Sequence, residues 1–142
     1  MIVIPQHLFA RLLENGQAPD GTDHIPVIKF FDPAGAATWL ITELRPDDQD
    51  SLFGLCDLGM GFPELGYVSL TELRSIKNRL GIPLERDLFF APHYPLSVYS
   101  EAARRAERIT EANSDLDLAS RALAANQDAT PTPPTESPYE GG

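Results

Sequence analysis

The residues with the most capacity for chemistry stand between Asp47 and Glu64. Asp47, Asp48 and Asp50 crowd the turn RPDDQD, and Asp57 and Glu64 flank a glycine-rich one. Cys56, the only cysteine, sits beside Asp57. Three chemistries use such groups. Paired carboxylates do acid–base work when burial separates their proton affinities. Clustered carboxylates hold a hard cation such as calcium or magnesium. A thiol supported by a histidine acts as a nucleophile.

Each reading has a simpler rival. Asp48-Gln49-Asp50 lacks the onward spacing and glycine of a calcium loop, so a solvated acidic turn accounts for it. Strand alternation puts Cys56 on the face of Leu52, Gly54 and Leu58, where a lone cysteine is usually a small buried hydrophobe. His7, His24 and His93 are scattered, without H-x-x-x-H spacing. In Gly59-Met60-Gly61-Phe62-Pro63-Glu64-Leu65-Gly66, Glu64 occupies the third-glycine position of G-x-G-x-x-G, and no GK[ST] follows. A strand rather than a helix comes next, so these glycines read as turn formers with φ > 0. No catalytic, cofactor-binding or metal-binding residue is assigned. Enzymatic activity is left open, with a non-catalytic role preferred, and Asp47, Asp48, Asp50, Asp57 and Glu64 are assigned to contact with a protein partner.

Charge supports that choice. The chain of 142 residues has a net charge of −10. Residues 1–73 carry eleven acids against three bases, a net of −8. Residues 74–110 carry four acids and seven bases, and 111–142 six acids and one base, giving +3 and −5. The acidic blocks repel a phosphate backbone, whose binding depends on clustered Lys and Arg. The basic block, with Phe89, Phe90, Tyr94 and Tyr99 near Arg86, Arg104 and Arg105, offers an alternative as a base-stacking surface for single-stranded nucleic acid. A metal- or thiol-dependent enzyme centred on Asp57, Glu64 and Cys56 is the second alternative.

The elements that position these groups follow from periodicity. Hydrophobic residues make up 42% of the chain, enough for one core. Leu8, Phe9, Leu12 and Leu13 predict a first helix over Pro5–Asn15, with Gly16 as its C-cap. Val27–Phe31, Thr38–Leu44, Ser51–Leu58 and Glu64–Ser69 read as four strands joined by turns. In the second, Trp39, Ile41 and Glu43 face one way, and Thr38, Leu40, Thr42 and Leu44 the other. Ser69-Leu70-Thr71-Glu72 has capping-box spacing, and Leu70, Leu73, Ile76 and Leu80 predict a helix that ends at Gly81. Leu88–Phe90 is a candidate edge strand. Ser97 is positioned to cap a last helix running to about Thr110.

The fold expected is α+β: a small antiparallel sheet of about four strands with an N-terminal helix and two following helices. Residues 1–112 form the domain. Residues 113–142 are expected to be an acidic, Pro-rich disordered tail, with a weak helix over Asp115–Ala125. No apolar run spans a bilayer, and MIVIPQ reads as a strand or staple rather than a secretion signal, so a cytoplasmic location is expected.

Between Pro26 and about Ala103, the stretches PVIKFFDPAGAATWLITEL, LFGLCDLGMGFPELGYVSLTEL, GIPLERDLFF and PLSVYSEAA carry a family resemblance. They resemble a domain-of-unknown-function family of small proteins found on bacterial plasmids, phages and integrative conjugative elements. FGLCDLGMGFPELGYVSL is the most specific block. The family has no established activity to carry onto residues. The resemblance implies a mobile-element setting, where small acidic proteins act on host or competitor machinery. The expected role is thus an accessory protein that binds a host defence or nucleic-acid-processing complex. Anti-CRISPR-like inhibition through an acidic surface is its sharpest form, without cofactor and without membrane contact.

Overall fold

The structure, a computed structural model, describes residues 2–128. In chain order it contains α1 (Gln6–Gly16), β1 (Ile28–Phe31), β2 (Thr38–Arg45), β3 (Asp48–Asp57) and β4 (Glu64–Ser69). These are followed by α2 (Leu70–Ser75), β5 (Glu85–Arg86), α3 (Leu96–Ala106) and α4 (Asn113–Asp128). The fold is α+β, as the element pattern predicts. The five strands form one antiparallel sheet in the order β4-β3-β2-β1-β5. Its extra strand is β5, two residues pairing with Phe30 and Phe31 at an outer edge. Leu88–Phe90, expected as that edge, forms no strand, and Asp87 closes a turn over it by accepting from Phe89 N–H at 2.8 Å.

Helices cover both faces. On one, α1 and α2 bury Leu12, Leu70 and Leu73 against Ile28, Phe30, Trp39, Ile41, Leu44 and Leu52. On the other, α3 and α4 bury Leu96, Tyr99, Ala103, Leu116 and Ala119 against Leu40 and Leu55. Alternation along each strand feeds both cores, because successive side chains point to opposite faces. The β2–β3 ladder shifts register twice, and at the first shift Ile41 pairs with Gly54 but Glu43 pairs with Phe53, leaving Thr42 as an extra residue. Beyond this bulge Leu44 joins Trp39 and Ile41, correcting the strict alternation that grouped it with Thr38 and Leu40. The buried Thr42 is held there, its hydroxyl donating to Phe53 O and its carbonyl accepting from Asn15 Nδ2.

Four helix ends differ from expectation. Gly16 lies inside α1 instead of capping it, and Gln17 follows in a right-handed conformation. A Cβ on Gly16 would stand 1.8 Å from Leu44 O, so glycine lets the helix end touch β2. α2 starts as predicted, with Ser69 Oγ accepting from Glu72 N–H at 3.1 Å, but stops at Ser75 instead of Leu80. Asn78 ends it. Its Oδ1 accepts from the N–H groups of Leu80 and Ile82, and its Nδ2 donates to Asp32, so its side chain organises the backbone into a turn. α3 takes its cap from another loop rather than from Ser97: Asp23 accepts from Ser97 N–H at 3.0 Å and from its hydroxyl. α3 ends at Glu107 in a left-handed conformation (φ 61°) rather than near Thr110.

Residues 113–128, expected to open the tail, form α4 and pack on α3. Leu116 and Ala119 are buried, and Thr110 and Asp115 bond at the helix start. The remaining Pro-rich stretch of the expected tail lies outside the described residues.

Candidate functional site

The five carboxylates assigned to partner contact do not share a surface. β3 separates them: Asp47, Asp48 and Asp50 lie at its start, while Asp57 closes it and Glu64 opens β4 beside that other end, roughly 20–30 Å away along an extended strand. Most are occupied with the fold. Asp47 pairs with Arg45 at 3.2 Å, and Asp48 accepts from Asp50 N–H across the turn. Asp50 caps α2, accepting from Ser69 Oγ and from both the N–H and the hydroxyl of Thr71. Those bonds, Ser69's first, hold its pKa below the ordinary carboxylate value.

Asp57 is 2% exposed and accepts from Gly59 N–H and Ile109 N–H, each at 2.8 Å. Its carboxylate thereby fixes both the start of the β3–β4 turn and the α3–α4 connection. Glu64 is cross-strand partner of Cys56, so it stands on the opposite face from Asp57. The two carboxylates therefore do not form an acid–base pair. Among the described residues, no group of three or more His, Cys, Asp or Glu is placed to hold a metal ion.

Cys56 packs with Trp39 and Val68 against the α1–α2 core, as strand alternation predicts. Burial, reinforced by the charge of Glu64, pushes its thiol up to about 11. Such a thiol stays protonated near neutrality and is a poor nucleophile. The basic-aromatic set also divides. Tyr99 is buried, Phe90 and Tyr94 pack on the α3–α4 core, and Arg104 and Arg105 both bond Glu101. Phe89 alone of the four rings projects, 91% exposed.

What the arrangement does present is apolar. The β3–β4 loop exposes Leu58, Met60 (72%) and Phe62 (79%), and β4 exposes Leu65 and Tyr67. Gly59 and Gly61, at φ 81° and 89°, give the loop its left-handed turns. β4 is an outer strand of the sheet, with β3 as its single neighbour among the described residues. It is six residues long and contains no proline or lysine, so it has few of the devices that usually protect an edge.

A cavity opens on each side of this edge. On the α1–α2 face, about 370 Å³ is bounded by Trp39, Cys56, Leu58, Met60, Phe62 and Val68. On the α3–α4 face, about 860 Å³ lies over Phe53 and Tyr67, with Asp20, Glu43, Arg45 and Asp47 around it. Leu65 and Tyr67 border both. Sequence reasoning missed this surface by reading the turn for its glycines. The signal available was a loop with Leu58, Met60 and Phe62 in place of polar turn residues, followed by Leu65 and Tyr67 on one face of a strand.

No helix among the described residues is long and apolar enough to cross a membrane. No curated protein and no solved structure matches the chain. The family described as "Protein of unknown function (DUF2958)" matches residues 3–110, from the residues just before α1 through the α3–α4 connection that Asp57 holds, with the exposed hairpin and β4 at its centre. With that match spanning most of its length, the chain belongs to the DUF2958 family.

Proposed function

We propose that this protein is a non-catalytic accessory factor that works by binding another protein, through the β3–β4 loop and the outer face of β4. The observation that carries this reading is the run of exposed Leu58, Met60, Phe62, Leu65 and Tyr67 along one unpaired edge. Contiguous exposed apolar surface is costly in water and marks interaction sites. The groups that would carry chemistry are engaged elsewhere: Asp57 in two backbone bonds, Asp50 in a helix cap, Cys56 in the core. The acidic surface moves from being the contact itself to being its rim, since Asp20, Glu43 and Asp47 surround the larger cavity.

In its finer form, the factor serves a bacterial mobile element and restrains a host defence or nucleic-acid-processing complex. The family resemblance and the net charge of −10 support this form. Capture from a bacterial lysate on the immobilised full chain tests the reading. One defined partner is expected, lost on Met60→Asp/Phe62→Asp and weakened by salt because the rim is charged. Capture of nothing, together with unchanged plasmid and phage restriction when the protein is expressed, contradicts it.

A further inference from the structure

We infer that the partner contributes an extended strand that pairs with β4, with basic side chains toward one face and aliphatic ones toward the other. This deepens the protein-binding reading and rests on it. β4 ends the sheet, so among the described residues one side of its backbone has no strand to bond. An added strand recovers those bonds and sends alternate side chains to opposite faces. The two faces beside β4 differ in chemistry, and each holds a cavity.

On the α1–α2 side, Trp39, Leu58, Met60 and Phe62 make a mainly apolar recess of about 370 Å³, with Glu64 as its one charged lining residue among the described residues. A valine- or leucine-sized group entering it removes apolar surface from water on both partners. On the α3–α4 side, the Tyr67 and Phe53 rings meet at 5.0 Å, tilted by 59°, to form a floor, and Asp20, Glu43, Arg45 and Asp47 lie around it. Arg45 lies over the Tyr67 ring at 5.4 Å and is paired with Asp47 at 3.2 Å. A lysine or arginine of the incoming strand enters beside Arg45 and meets Asp20 and Glu43.

Charge selects among occupants. A second copy would bring its own β4, ELGYVS, with one acid and no base. The chain's own C-terminal residues 129–142 contain two glutamates and no base. Both set acid against the acidic rim, which like-charge repulsion disfavours. A strand from a basic partner is the complementary choice.

The probe is an eight-residue peptide alternating lysine and valine, titrated into the isotopically labelled full chain and followed by amide NMR and hydrogen exchange. The expected result is shifted and slowed exchange at the amides of Glu64–Ser69. A peptide of the same composition with four lysines followed by four valines, and one alternating glutamate and valine, bind at least about tenfold more weakly, as does Asp20→Lys/Asp47→Lys with the original peptide. Unmoved β4 amides, or equal binding of the block-ordered peptide, overturns strand addition. If β4 ignores the peptide while capture of a cellular partner survives Leu65→Asp, protein binding stands and this mode of it fails. If capture also fails, both fall.

Discussion

Cys56 and Asp57 are sequence neighbours on opposite faces of β3, and each is spent on the fold. For Cys56 the consequence is kinetic. With its thiol pushed from 9.0 to about 11, its thiolate fraction at pH 8 is about 100-fold below that of the unfolded chain. Alkylation of the native protein at pH 8 is accordingly slow, and its rate continues to rise to near pH 11; a plateau near pH 8.5 contradicts this placement. Because folding raises this pKa, the associated stability is complete below pH 9 and lost as the pH climbs toward 11. Cys56→Ser flattens that alkaline decline, measured as denaturation midpoint against pH.

Asp57 makes a static contribution. Asp57→Ala strands the N–H groups of Gly59 and Ile109 and costs about 2–4 kcal/mol. Asp57→Asn keeps one acceptor and costs about half as much. Urea unfolding of the two variants reads the difference as an ordered pair of midpoints at constant slope.

At the scale of elements, α4 gives the sharpest test. Leu116→Ala is predicted to cost about 2–4 kcal/mol, the usual range for emptying a core leucine site. A change under ~0.5 kcal/mol, the surface norm, means that α4 does not hold the sheet. Gly16→Ala, forced against Leu44 O, costs about 1–3 kcal/mol through displacement of α1.

Local signals made much of this fold legible. The Leu8–Leu13 spacing, the four alternating strands and the Ser69 cap all stand, because neighbouring residues determine them. What stayed hidden depends on distant partners. Leu44 changes face through a bulge at Thr42 that only the β3 register reveals. α2 stops early because Asn78 bonds both its own turn and Asp32, 46 residues away in sequence. The Asp115–Ala125 pattern marks a helix, but only α3 lying against Leu116 and Ala119 reveals that it packs on the domain. The site was obscured for the same reason, since strand order, not sequence, leaves β4 at an edge.

For the whole molecule, charge distribution sets the response to acid and to partners. Glu101 is held below its ordinary pKa by its bonds to Arg104 and then Arg105, against the effect of burial, and Asp50 by Ser69 and Thr71. Folding-depressed carboxylates stabilise above their unfolded pKa and lose that contribution as the pH falls. Stability is therefore expected to decline from about pH 4 downward, and Asp50→Asn reduces the steepness of that decline. Lys29 behaves in the opposite sense. Burial opposes its charge, but bonds to Glu111 and Asp87 outweigh burial and raise its pKa, so its contribution is lost only in strong base.

None of these terms involves the exposed apolar side chains of the β3–β4 loop and β4. Photo-crosslinking in living cells measures directly what they meet. A benzophenone amino acid replaces Phe62 or Tyr67 in one pair of chains and Phe89, a still more exposed ring away from β4, in a third chain. The account predicts one dominant protein adduct from positions 62 and 67 and none from 89. The same adduct from all three positions, or none from any, contradicts it.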